Sequence, residues 1–152
     1  MADILEGEQV AKLLRNLVYE KKQVHAESVD LTVKSISRIA TTGSIDFGGS
    51  EFDPGERIEL ACSKPNPSDK YGWWFLSAGD FLVEYNEELA LPPHHLGILE
   101  PHERLLECGV THNVRFITDP GENLLSLIHV GQADVRIKQN ARLSKLIVLQ
   151  HG

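Results

Sequence analysis

Residues 91–121 read LPPHHLGILEPHERLLECGVTHNVRFITDPG. An extended run enters the Pro92-Pro93 turn. A strand, one short amphipathic helix near residues 101–108, a second strand and a tight Asp119-Pro120-Gly121 turn follow. Polar groups at three turns are held by short rigid elements, which is the layout of a site. Working outward, a period of two dominates. Val29, Leu31 and Val33 alternate with Ser28, Asp30, Thr32 and Lys34. Further strands are expected over 35–39, 44–47, 57–62, 73–77, 81–85, 96–99, 114–118, 124–129, 133–137 and 145–149, separated by turn residues such as Gly48-Gly49 and Ala78-Gly79-Asp80. Many short strands with regular turns predict an all-β sandwich or barrel.

The N-terminus has a different period. Val10, Leu13, Leu14, Leu17 and Val18 make one apolar stripe at helical spacing, which predicts a helix over 6–19. It should dock, within residues 1–22, on the core of a single domain spanning 1–152. Residues 64–70 read as a solvated loop. Adjacent strand residues face opposite sides, so one of Trp73 and Trp74 should enter the core while the other is half exposed or meets a neighbouring subunit.

The formal charge is −7, which argues against a general nucleic-acid binder. Cys62 and Cys108 form no metal pattern and are expected as two buried, reduced thiols. No apolar run reaches the ~18 residues that span a bilayer, so no membrane association and a cytoplasmic location are expected. Seven histidines raise a metal site built from His94, His95, His102, His112 and His129, but no pair has a helical i, i+4 spacing and there is no Cys-x-x-Cys. No metal ligands are therefore assigned.

Three segments in order resemble the dCTP deaminase/dUTPase superfamily: QVHAESVDLTV (23–33), FLSAGDFLVEYNEELALPPHHLGILE (75–100) and ITDPG (117–121). RLSKLIVL (142–149) resembles the last core strand. The resemblance implies a distorted β-barrel or jelly roll of the dUTPase-like type, assembled as a homotrimer with nucleotide sites between subunits. It implies a role in deoxynucleotide metabolism, with a pyrimidine deoxynucleoside triphosphate, dUTP or dCTP, as ligand and Mg²⁺ arriving with the triphosphate. Asp119 would then orient the attacking water, and Asp30, His102, Arg104 and Lys145 would serve substrate binding. The departures are equally specific. The family's Gly-Arg-Ser-Ser-Leu is replaced by Pro101-His102-Glu103-Arg104-Leu105, so Glu103 brings negative charge where a hydroxyl faces phosphate. Glu107 stands where the deaminases carry an arginine, and Glu122-Asn123 replace an aromatic residue and a glycine. His129 takes the place of the deaminase glutamate; a histidine can also shuttle protons near neutral pH. These changes predict no efficient dCTP deamination and slow or absent dUTP turnover. The alternative is a catalytically inactive relative, a trimeric structural or regulatory module.

Overall fold

A computed structural model describes residues 1–121 and 123–152; Glu122 lies outside the described residues. The strands are β1 (Asp3–Ile4), β2 (Leu14–Arg15), β3 (Val29–Ile39), β4 (Arg57–Glu59), β5 (Trp73–Leu76), β6 (Gly79–Tyr85), β7 (Glu88–Leu89), β8 (His95–Pro101), β9 (Val110–Thr111), β10 (Arg115–Ile117), β11 (Leu125–Val130), β12 (Val135–Lys138) and β13 (Arg142–Gln150). Three short helices join them: α1 (Gly7–Lys12), α2 (Glu20–Gln23) and α3 (Glu103–Glu107). The main antiparallel sheet runs β10-β8-β13-β3-β6-β11-β9, with β1 on β13 and β4 on β3, and it curls into an open half-barrel. β12 pairs with β5, and β2 with β7.

The alternating apolar residues close the core as the period of two requires. Leu31, Val33 and Ile36 of β3 meet Val83, Leu99, Ile117, Ile128, Leu146 and Val148, all essentially without solvent contact. β3 is longer than the two strands expected there, because a bulge between Val33 and Ser35 lets it continue past β6. Two of its polar alternates, Asp30 and Thr32, are buried, whereas Lys34 is exposed. The outer face is covered by α2 and by the turn after β6, and Gln23 and Glu87 supply the polar partners.

The N-terminal helix is half the predicted length. α1 ends at Leu13, β2 crosses to pair with β7, and Asn16 takes a left-handed backbone (φ 68°). Gln23 Oε1 accepts from the N–H groups of Val18 and Tyr19, each at 2.7 Å, which favours a tight return over another helical turn. The apolar stripe is still used: Val10 and Leu14 are buried while Val18 is exposed. Gly7 fits only as glycine, since a Cβ there would lie 1.7 Å from the His25 carbonyl oxygen. The strand expected over 44–47 reduces to one bridge, Ser44 with Asp53. The Ser44 hydroxyl, donating to the Glu51 carbonyl, and the Asp46 carboxylate, accepting from the Gly49 and Glu51 N–H groups, hold this loop instead, leaving Ile45 and Phe47 exposed.

Trp74 enters the core and donates to the Leu60 carbonyl at 3.0 Å. Trp73 is half-buried between Arg136 and Lys138. Both cysteines are free thiols, but their burial departs from expectation: Cys62 is half-buried and Cys108 is exposed at the end of α3. No helix is long and apolar enough to cross a membrane.

Candidate functional site

Two groups of predicted residues lie on different parts of the sheet. The first surrounds a gap. β10 pairs with β8 and β11 pairs with β6 and β9, so these two consecutive strands do not pair with each other. Between them lies a cavity of about 270 Å³, lined by Asn113, Val114, Arg115, Leu125, Ser126, Leu127 and His129. Arg115 braces its rim by donating to the carbonyls of Asn123 and Leu125. His129 sits on β11 opposite Thr111, and its Nδ1 meets the Asp80 carboxylate across the β6–β11 ladder. That partner was missed in the sequence, because Asp80 read only as a turn residue. Asp119 is exposed in the turn that leaves β10, ahead of Gly121 with its positive φ of 77°.

The second group is a charge cluster centred on Asp30, whose side chain is fully buried. Oδ2 receives His25 Nε2 at 2.8 Å and Arg142 Nη1 at 3.0 Å, with His102 Nε2 at 3.7 Å. Oδ1 has no partner. Lys145 lies opposite Asp30 in the β3–β13 register. Its Nζ reaches the Glu103 carboxylate at 2.7 Å, and His102 Nδ1 is 3.9 Å from the same group. Glu103 is therefore held down to a pKa of about 2, first by the Lys145 ammonium and then by a backbone N–H; that bond in turn raises Lys145. Burial lowers His102, which the charges of Asp30 and Glu103 only partly oppose. His102 also shapes α3: its Nδ1 accepts from the Arg104 N–H at 3.2 Å. Arg104 itself is exposed.

So Asp30, His102 and Lys145 come together, with His25 and Arg142 as partners that spacing alone did not single out. His129 and Asp119 do not join them within one chain. Neither group forms a metal cage: among the described residues no three His, Cys, Asp or Glu side chains are set to hold an ion. His112, one of the histidines considered for a metal, is buried in a hydrogen-bonded chain instead. Its Nε2 meets Ser144 Oγ at 2.8 Å, and Ser144 in turn meets Tyr85, which also bonds Ser126. A larger cavity, of about 600 Å³, lies elsewhere, with Asn16, Glu87, Asn123 and Asn140 in its lining.

Comparison with known proteins gives this geometry a lineage. A probable deoxyuridine 5'-triphosphate nucleotidohydrolase of Methanosarcina mazei is 30% identical over 138 residues, which is 89% of this chain and 77% of that protein. The corresponding protein of Archaeoglobus fulgidus is 23% identical over 155 residues, covering 97% and 88%. In fold, the chain resembles the 2'-deoxycytidine 5'-triphosphate deaminase of Agrobacterium tumefaciens, with a TM-score of 0.68 at 16% identity. That likeness covers 98% of this chain but only 48% of the deaminase, so the chain spans about half its length. Residues 4–151 match the family described as dCTP deaminase-like, and the chain belongs to that family.

Proposed function

We propose that this protein binds pyrimidine deoxynucleoside triphosphates at sites shared between copies in a homotrimer, and that dUTP hydrolysis is the reaction its residues suit best. The observation that carries this reading is the gap between β10 and β11: its size suits a pyrimidine ring, and His129 lines it, with Asp119 on the turn joining the two strands. The relatives named as nucleotidohydrolases point the same way. In this reading Asp119 orients the attacking water as a carboxylate base. Lys145, His102 and Arg104 face the phosphates of a nucleotide whose base lies on another copy, since one chain keeps the two groups apart. Asp30 holds Arg142 and His25 in place behind them. Mg²⁺ would arrive with the triphosphate and neutralise phosphoryl charge; the chain itself offers no cage for it. Deamination of dCTP is disfavoured, because His129 replaces a carboxylate and is engaged by Asp80.

The test is turnover and binding with dUTP and dCTP. A ligand at a hundred times its Kd adds about 2.7 kcal/mol to the folded state, roughly 5–11 °C in Tm for a chain of this size. Wild type should be stabilised by dUTP, and Asp119→Asn should abolish hydrolysis while keeping the shift. Light scattering should give about three times the 17.0 kDa chain mass. A monomer with no thermal shift would sink the reading; a trimer that binds without turnover would leave the structural or regulatory role.

A further inference from the structure

The Lys145–Glu103 pair has a consequence for any anion that approaches the Asp30 cluster. Lys145 stands opposite Asp30 on β13, and its ammonium is already occupied at 2.7 Å by a carboxylate of the same chain. The same carboxylate lies 3.9 Å from His102 Nδ1. Behind it, Arg142 and His25 are committed to Asp30. Glu103 is thus the exposed acid of this cluster, and Asp30 the buried one. Its side chain is 64% exposed, so it can rotate into water without disturbing the core, whereas the Asp30 side chain cannot move.

We propose that Glu103 is a built-in competitor: its carboxylate occupies the place of a ligand phosphate on Lys145, and a nucleotide binds there only by displacing it. This deepens the proposed function and rests on that reading for the identity of the ligand. Displacement costs the ligand one ion pair, and it leaves a second negative charge nearby. A triphosphate, with several charges to offer Lys145, overcomes this; a monophosphate does not. Glu103 therefore sets a charge threshold for entry rather than contributing a catalytic group.

The test uses the full chain with two probes, inorganic tripolyphosphate and a non-hydrolysable dUTP analogue, titrated calorimetrically against wild type, Glu103→Gln, Lys145→Ala and the double variant. Glu103→Gln keeps the shape and removes the charge, and should bind both probes about two- to fivefold more tightly. The gain should vanish in the Lys145→Ala background. If tripolyphosphate gains and the nucleotide analogue binds no variant, the competitor stands and the pyrimidine reading fails. Equal or weaker binding of tripolyphosphate by Glu103→Gln, a gain that survives loss of Lys145, or no binding of either probe by any variant would overturn the inference.

Discussion

Glu87 offers the sharpest test of how the fold holds its polar interior. It is 1% exposed, and among the described residues it forms no ion pair. Its Oε1 accepts from the Thr32 N–H at 2.8 Å; its Oε2 accepts from Thr32 Oγ1 at 2.6 Å and from Gln23 Nε2 at 2.8 Å. Gln23 also donates to the Asp30 carbonyl, so this one carboxylate ties α2 and β3 to the turn before β7. Glu87→Ala leaves three donors without an acceptor. At the lower end of ~1–3 kcal/mol for each buried orphan, with some loss of packing, the cost is about 4 kcal/mol. For a chain of this size that lowers Tm by roughly 8–16 °C. The cost also depends on pH. Burial raises the Glu87 pKa, and the hydrogen bonds from Thr32 and Gln23 oppose that without cancelling it. The folded state then holds the proton more tightly than the unfolded chain, so between the unfolded value near 4.5 and the raised folded value the unfolded state binds fewer protons. Stability from Glu87 is full below the unfolded pKa and falls as pH rises through that window. The difference between wild type and Glu87→Ala should accordingly be largest at acid pH and shrink toward pH 8. Urea unfolding at both pH values measures it. A loss under 1 kcal/mol, or a difference that grows with pH, would refute the reasoning.

Asp30→Ala leaves the partly buried Arg142 without its carboxylate, and should cost about 2–4 kcal/mol in urea unfolding, less than a fully enclosed pair because Arg142 still sees solvent; a loss below 1 kcal/mol would show that the cluster carries no structural load. Tyr85→Phe removes the hydroxyl that joins Ser126 to Ser144 and strands at least one buried serine, for about 1–2 kcal/mol. Desolvation pushes the Tyr85 phenol up to about 12, so ultraviolet titration should find one of the three tyrosines un-ionised near pH 11 in the folded protein.

The period of two was enough to establish an all-β curl. The backbone of a strand forces successive side chains to opposite faces, and Leu31, Val33 and Ile36 had to be buried together whatever their partners. The short helix after β8 was equally legible, since Pro101 precedes it and Cys108 ends it. The resemblance brought Asp30, His102 and Lys145 under suspicion, Asp30 as a retained motif residue and the other two by the motif positions they occupy. Tertiary structure decided the rest. Alternation alone does not say that Asp30 and Thr32 are enclosed; Gln23 and Glu87, seven residues before Asp30 and 55 after Thr32, give them buried partners. A helical stripe over 6–19 could be satisfied by a helix or by a chain that turns back over the same apolar patch, and the reach of Gln23 selected the turn. Pairing of Glu103 with Lys145, and of His129 with Asp80, joins residues 42 and 49 positions apart. Local sequence carries propensity and period, whereas the partner of a charge is set by which strands the fold lays side by side.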